Sequence, residues 1–551
     1  MHYISYKESL KNNINNKTRD KLNKKFIKTK LKEYDKYFDE LFNKIDSNIK
    51  LDKYQRIAIL NDDDFSMIIA GAGSGKTTTM AGKVKYLVDK LHINPNNILV
   101  ISFTNKAVDE LSEKINKDLG INSLILTFHK LGIKILKDKN IDFKILLDSS
   151  KLIKDFLFNF FNSNKTIFSK IIYYYKEYFD LEFINNYLYQ NSVKDYHKGS
   201  IKFVSLCLEI ISKIKISSYD VEKLNDILKQ YENNEKMKIM IELIIKLYNY
   251  YLSIIKENNY IDFEEMINLS YDVLDETLNY KYEYIIIDEF QDISYQRFRL
   301  IKKLSDLTSA KIVVVGDDWQ SIFAFAGSDI SIFTELDKYV GHTEKLKLVN
   351  TYRNSQQLID IAGKFIMQNN KQIKKNLKSP KLLNKPVKII FYDNNKDYKD
   401  KFLKSLEIIT KKFPNKLDIL LIGRYKKDIE ILLKTKCLKE KNNKLVCTQY
   451  PKLKFTFLTA HSSKGLGYDN IIIINALDDI YGFPSKIIDS DLVKIFNINN
   501  DFLNEERRLF YVALTRTKNY AFILVPKDNY SIFIKEIIEY PNVEILKIKN
   551  K

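Results

Sequence analysis

Eight residues, Ala70-Gly-Ala-Gly-Ser-Gly-Lys-Thr77, constrain this chain more than any other stretch. They follow the apolar run Met67-Ile-Ile69 and precede a segment, Thr78 to about Leu91, that reads as a helix. A strand, a glycine-rich turn and a helix in that order form a phosphate cradle. Gly71, Gly73 and Gly75 let backbone N–H groups converge on an anion without Cβ clashes, and the helix start adds the positive end of its dipole. The nucleotide-binding stretch therefore runs from Ala70 through Ala72 and Ser74 to Thr78. Lys76 is placed to reach the β- and γ-phosphates, and the Thr77 hydroxyl to bind Mg²⁺. Ala70 stands where the pattern carries its first glycine. An accidental glycine-rich loop would lack these flanking elements.

A second anchor is Tyr284-Ile-Ile-Ile-Asp-Glu-Phe-Gln-Asp292. Apolar residues run straight into paired acids, so the acids sit at a strand's carboxyl end, where a doubly wound sheet binds its ligands. Asp288 would share the Mg²⁺ with Thr77, and Glu289 would orient or deprotonate the attacking water. A strand ending in Asp-Glu is common. Behind a phosphate cradle, in this order, it predicts nucleoside triphosphate hydrolysis.

The 551 residues suffice for two to four domains, and a 45% hydrophobic content supports full-sized cores. Three scattered cysteines fit neither a disulfide framework nor a metal knuckle, which suits a reducing cytoplasm. The first residues lack a signal-peptide core, and no apolar run approaches a membrane span, so no membrane partner is expected. The net charge of +20 points to a polyanion partner. Part of that lysine excess reflects a composition crowded with Lys, Asn, Ile and Tyr.

Residues 1–50 are lysine-rich, without Gly or Pro, and read as a small helical element or a nucleic-acid contact. Strand–helix alternation over 51–130 gives way at 131–260 to three-four spacing of apolar and aromatic residues, an all-helical insertion whose Phe and Tyr form its own core. Alternation resumes at 261–345, completing the first α/β lobe. A second α/β lobe is placed at 346–551, with strands near Val387–Phe391, Ile419–Ile422, Lys454–Leu458, Ile471–Asn475 and Ala521–Val525.

Further motifs fall in order around the two anchors. Gln55, in Leu51-Asp-Lys-Tyr-Gln-Arg56, precedes the cradle lysine, and its amide could pair with both edges of adenine. Ile101-Ser-Phe-Thr-Asn-Lys-Ala-Val108, Leu126-Thr-Phe-His129 and Gly316-Asp-Asp-Trp-Gln-Ser-Ile-Phe-Ala-Phe-Ala-Gly327 follow in the first lobe. Asn350-Thr-Tyr-Arg-Asn-Ser355, Thr459-Ala-His-Ser-Ser-Lys-Gly-Leu466 and Glu505-Glu-Arg-Arg-Leu-Phe-Tyr-Val-Ala-Leu-Thr-Arg-Thr517 follow in the second. This ordered set resembles the superfamily 1 DNA helicases of the UvrD/Rep type from about Leu51 to Val525, and Gly316-Asp-Asp-Trp-Gln320 resembles the helicase IV branch most.

The resemblance implies an α/β fold of two RecA-like lobes using ATP and Mg²⁺. Gln55 would read adenine and Tyr352 would stack on it. Gln320 would sense the γ-phosphate. Arg353 and Arg516 would be arginine fingers of the second lobe, acting when the lobes close. Phe103, His129, Phe323, Phe325 and His461 would line single-stranded DNA, since aromatic faces suit any base. The activity implied is 3′–5′ translocation on single-stranded DNA and unwinding of tailed duplexes, in repair, recombination or replication restart. Alternatives are an ATP-gated DNA-binding switch, a helicase subunit of a nuclease-coupled defence system, and an RNA motor; a repair or nuclease protein is a further candidate partner.

The chain departs from that pattern in four places. Gly467 replaces a Glu that touches the ribose in relatives. Phe325 and Ala326 stand where Trp and Arg are common. Thr78 stands where some relatives place an Arg near the base. The regulatory domain that UvrD and Rep insert in the second lobe shrinks to a remnant near 434–452, or is absent.

Overall fold

The computed structural model describes residues 2–547 except 44, 191–198, 416, 443, 488–490 and 497–500. Two mainly parallel sheets organise it. The first comprises β1 (Phe65–Ile69), β2 (Ile98–Ser102), β3 (Leu124–Thr127), β6 (Tyr284–Ile287), β7 (Lys311–Gly316) and β8 (Glu344–Lys347), in the order β3-β2-β6-β7-β1-β8. Two short strands, β4 (Lys144–Ile145) and β5 (Tyr260–Ile261), pair separately. The inner strands are short apolar runs because helices cover both faces of a parallel sheet. Every residue of β1, β2 and β6 is buried.

Strand order decides where the motifs meet. β6, β7 and β1 are neighbours, with Ile287 paired to Val314 and Ile69 to Gly316. Their carboxyl ends are therefore level. The cradle, the paired acids and the Asp317–Gln320 turn emerge side by side, although more than two hundred residues separate the first from the last.

The second sheet contains β9 (Val387–Tyr392), β10 (Asp418–Gly423), β11 (Lys439–Lys441), β12 (Lys444–Val446), β13 (Lys454–Thr459), β14 (Asn470–Ile473), β15 (Ala521–Pro526) and β16 (Val543–Ile545). Its order is β11-β12-β13-β10-β14-β15-β9-β16, with β11 and β12 antiparallel at one edge. The stretch near 434–452 contributes that hairpin, and no further domain is seen there among the described residues. Helix Phe502–Leu514 packs Leu509, Phe510, Val512 and Ala513 into the core of this sheet, which delivers Arg516 to the cleft between the lobes.

Three boundaries differ from the sequence reading. The 1–50 segment, expected as a helical element of its own, does contain helices Tyr6–Lys11, Asn16–Glu33 and Asp35–Glu40 but is docked onto the first lobe. Phe38 and Phe42 are fully buried in the first-lobe core with Leu51, Ile59, Tyr86 and Leu87, and Arg56 grips Asp35 and Asp39 at 2.6 and 2.5 Å. The lysine-rich composition hid the apolar face because a few residues suffice to dock a helix. The helical insertion starts later than 131, since helix Phe128–Asp138 packs Phe128, Leu131 and Ile135 against the first sheet. The boundary at 346 cuts β8, whose Leu346 pairs with Ile68. That edge strand reads Glu-Lys-Leu-Lys, too polar to register as a strand.

The insertion itself is helical from Ser150 to Glu257 among the described residues, on the β4–β5 stem; positions 191–198 of the expected insertion lie outside those described. Its aromatic residues do form its core: Phe161 stacks on Phe168 at 4.2 Å and Phe179 on Phe203 at 4.8 Å. Leu492, Val493 and Phe496, from the second half of the chain, complete this core.

Candidate functional site

A cavity of about 660 Å³ opens between the two lobes, lined by Gly73–Thr78, Asp288, Glu289, Gln320, Tyr352, Arg353 and Arg516. Helix Lys76–Leu91 starts at its floor with no side chain capping it, so its first N–H groups are free for an anion. Gly73 and Gly75 have φ of +72° and +78°. A Cβ on Gly75 would lie 2.6 Å from Gln55 Nε2, and one on Gly73 2.5 Å from Arg353 Cβ. The Ser74 hydroxyl is buried without a partner. Such a cradle, with an uncapped helix start and an orphaned hydroxyl, fits a nucleotide phosphate. Ala70, Gly71 and Ala72 lie behind it. The Ala70 carbonyl accepts from Lys375 at 2.9 Å, the Ala72 carbonyl accepts from Thr351 at 2.6 Å, and a Cβ on Gly71 would strike Leu377.

Lys76 donates to Glu289 at 2.7 Å, and Gln291 Nε2 holds the other Glu289 oxygen at 2.7 Å. Glu289 has φ of +49°, a left-handed conformation that costs about 1 kcal/mol in a non-glycine residue and persists where function requires it. Burial and the adjacent Glu289 charge push Asp288 up to about 7. Burial alone would raise Glu289 too, but Lys76 and Lys464 hold it down to about 2. Thr77 and Asp288 line the same cavity, an oxygen donor set whose chemistry fits a divalent cation, which would favour the charged Asp288 carboxylate.

Opposite the acids stand two guanidinium groups. Arg516 is fully buried; burial, then the neighbouring Arg353 charge, lower it to about 9. Neither arginine is ion-paired among the described residues; Arg353 donates to the Gly465 carbonyl at 3.2 Å. Two adjacent cations without an ion-paired carboxylate among the described residues form a site whose chemistry fits an anion. Gln320 lies between the lobes, donating to Asp317 at 2.5 Å and accepting from Arg516 at 2.9 Å.

The base-side residues are placed less openly than their motifs suggest. The Gln55 carbonyl accepts from the Asp52 N–H at 2.9 Å in a capping box, and its amide donates to Ser74 O at 3.4 Å, so both edges are occupied. Tyr352 is half-exposed on the rim, tied to Asp52 at 2.7 Å. Thr78 accepts from Lys114 at 2.9 Å, so a lysine side chain enters the cavity wall beside it.

The aromatic residues form two groups. Phe323, Phe325 and His461 gather at the lobe junction, Phe325 crossing His461 edge-on at 5.4 Å and lying 61% exposed. Phe103 packs on Phe128 at 5.2 Å under the Arg297 guanidinium, and His129 meets Phe263 at 5.2 Å. His129 is outside the cavity lining. Burial first, with Arg297 beside His129 and Arg424 and Lys464 beside His461, lowers both imidazoles to about 4.

Motif residues left without a role in the sequence reading prove central. Lys464 pairs with Asp292, donates to the Gln320 carbonyl at 2.8 Å and lies 4.8 Å from the Phe323 ring centre. Lys375 pairs with Asp317 and, at 2.7 Å, with Asp318, fixing the Gln320 turn. Lys464 and Asp292 were visible inside quoted motifs, whereas Lys375 belongs to none.

The sequence matches the UvrD/REP helicase N-terminal domain over residues 51–341 and the UvrD-like helicase C-terminal domain over residues 404–527. The chain belongs to the UvrD/REP helicase family. Among its relatives, DNA helicase IV of Escherichia coli (strain K12) is 27% identical over 504 residues, 90% of this chain and 71% of that protein. A "Probable DNA helicase" of Mycoplasma pneumoniae is 25% identical over 492 residues, 86% of this chain and 83% of the relative. The ATP-dependent DNA helicase Rep of Buchnera aphidicola subsp. Baizongia pistaciae is 30% identical over 356 residues, 63% of this chain and 47% of the relative. No helix among the described residues is long and apolar enough to cross a membrane.

Proposed function

We propose that this protein is an ATP-dependent DNA helicase, built on two RecA-like lobes, that moves 3′ to 5′ along single-stranded DNA in repair, recombination or replication restart. One chain of contacts carries the reading. Arg516 of the second lobe bonds the Gln320 side chain at 2.9 Å, Lys464 bonds the Gln320 carbonyl at 2.8 Å, and Lys464 covers Phe323 at the aromatic surface. Occupancy of the phosphate site is thereby linked to the DNA-facing ring cluster.

Each residue's part follows from its position. The cradle and Lys76 bind the triphosphate, and Lys76 leaves Glu289 to do so. Thr77 and Asp288 would hold Mg²⁺, which when bound would supply neutralising charge to the phosphate oxygens. Glu289, released from Lys76, becomes a stronger base and takes a proton from the water that attacks the γ-phosphorus as the bond to the β–γ bridging oxygen breaks. Arg353 and Arg516 stabilise the charge that develops on the transferred group, and only when the lobes are closed. Tyr352 and Gln55 meet the base once Gln55 turns from its capping bond. Phe103, His129, Phe323, Phe325 and His461 contact the strand.

The test is steady-state ATP hydrolysis with and without single-stranded DNA, beside Lys76→Ala, followed by displacement of duplexes with 3′ or 5′ tails. Large stimulation lost in the variant, with displacement from 3′ tails, is expected. Turnover indifferent to DNA would overturn the reading. A second reading, a switch or partner-dependent subunit that hydrolyses ATP without separating strands alone, is favoured by the reduction of the second-lobe insertion to one hairpin. Stimulated turnover without displacement would select it.

A further inference from the structure

Helix Asn16–Glu33 carries seven lysines and one arginine against two acids. At 100° per residue, Lys17, Lys21, Lys24, Lys25, Lys28 and Lys32 fall within an arc of about 100°, and all six are exposed. The stripe from Lys17 to Lys32 is about 22 Å long. Both acids of the helix lie outside that arc, and none of the six lysines makes an ion pair among the described residues; Glu33 pairs with Lys30 instead. Several lysines on other helices are matched by an acid one turn away: Lys134 with Asp138 at 2.7 Å, Lys302 with Asp306 at 2.5 Å, Lys411 with Glu407 at 2.6 Å and Lys434 with Glu430 at 2.7 Å. Six like charges in a row repel, and among the described residues no ion pair offsets them, although the Lys24 charge reaches Glu344.

The opposite face is fixed rigidly to the first lobe. Arg19 is buried, 3.1 Å from His342 Nε2 and 3.8 and 3.9 Å from Asp63 and Glu344. Tyr6 stacks on His342 at 4.4 Å, and Phe26 is buried. Asp63 and Glu344 lie at the amino ends of β1 and β8, whereas the cradle leaves the carboxyl end of β1, about 17 Å along the strand. The stripe is thus a preformed, straight, unpaired cationic rail on a different end of the sheet from the cleft and its aromatic surface.

We propose that this rail is a second DNA-binding surface, taking the phosphate backbone of duplex DNA outside the single-strand track. A duplex presents about one charge per 1.7 Å of axis, so a 22 Å rail faces far more phosphates than it has lysines and needs no particular base sequence. The inference rests on the reading of the protein as a DNA helicase, and its test separates the two.

The experiment uses the full chain with six substitutions, K17Q, K21Q, K24Q, K25Q, K28Q and K32Q; removal of the helix is unsuitable because its Arg19, Asn23 and Phe26 are buried against the first lobe. Affinity for a tailed duplex and for a short single-stranded oligonucleotide is measured from 50 to 200 mM salt. With about 0.9 of slope lost per duplex phosphate contact, the variant's slope of log K against log salt on the tailed duplex is expected to be shallower by about 3–5. The affinity gap to the unaltered protein then narrows at least ~60-fold across that range. Binding to the oligonucleotide and its stimulation of ATP turnover stay unchanged, and six arginines in place of the lysines keep the steep slope. Equal slopes on the duplex would overturn the proposal, and so would an equal change on both DNAs, which would mark diffuse net charge. Absence of DNA-stimulated turnover in the unaltered protein would instead sink the helicase reading.

Discussion

Replacing Arg516 gives the sharpest test of the cleft. Its guanidinium has five N–H groups. The Nε group donates to the Val512 carbonyl at 2.8 Å, Nη1 to the Leu466 carbonyl at 3.2 Å, and Nη2 to Gln320 at 2.9 Å and Thr515 at 3.1 Å. Four N–H groups are committed and the fifth, on Nη1, is free for a phosphate oxygen. A finger of this kind contributes on the order of 10³ or more in kcat, about 4 kcal/mol of transition-state stabilisation. Arg516→Ala also removes the donor to the half-buried Leu466 carbonyl, leaves the Val512 carbonyl with only the Thr515 hydroxyl at 3.3 Å, and opens a cavity. Against that stands relief from burying a cation beside Arg353, so the stability loss is expected to stay near 3 kcal/mol or below. Steady-state ATP turnover at saturating single-stranded DNA should therefore fall at least ~10³-fold. The KM for ATP should move less than about fivefold, because the interaction strengthens only in the transition state. Arg516→Lys keeps the charge without the fork and should fall between, at about 10² below the unaltered enzyme. Urea unfolding run alongside separates the chemical from the structural effect. A folded Arg516→Ala protein retaining more than a tenth of kcat would refute the assignment.

Two further outcomes follow from the packing and the charges. Phe42→Ala, in the lysine-rich segment, should cost about 3–5 kcal/mol in denaturant unfolding because the ring is fully buried in the first-lobe core; a loss under about 1 kcal/mol would mean the segment is peripheral. His461 is lowered to about 4 by burial and by Arg424 and Lys464, so between its unfolded value near 6.5 and pH 4 the unfolded chain binds a proton that the folded one does not. Its contribution is complete above pH 6.5 and lost as pH falls towards 4, about 1–3 kcal/mol in all. His461→Gln should flatten that part of the stability profile, and an unchanged profile would exclude the imidazole as its source.

Much of the cavity lining was legible because its residues fall in short contiguous runs. A glycine turn before a lysine, or an apolar strand running into two acids, carries its own local geometry. What those runs left out is long-range. Glu289 holds Lys76 only because β6, β7 and β1 are adjacent, which no local pattern states. Gln55 carried the right amide for a base, yet Asp52 three residues earlier satisfies it as a helix cap. Lys375 lay in no motif, and burial against Asp317 and Asp318 is what gives it a role.

The lysine-rich start shows the same division. Composition pointed to a separate helical element or a nucleic-acid contact, because lysines dominate any average over fifty residues. Docking depends on a few side chains, Phe26, Phe38, Phe42 and Arg19, and the sequence does not say which partner surface receives them. By itself the sequence determined the glycine-rich turn ahead of a helix, the strand running into paired acids and the main alternation of apolar strands and helices, since backbone permissiveness, charge and hydrophobic period are local properties. Only the tertiary structure decided which loops face one another across the cleft, where each lobe ends, and which lysines remain unpaired, because those depend on strand adjacency and burial between residues far apart in the chain.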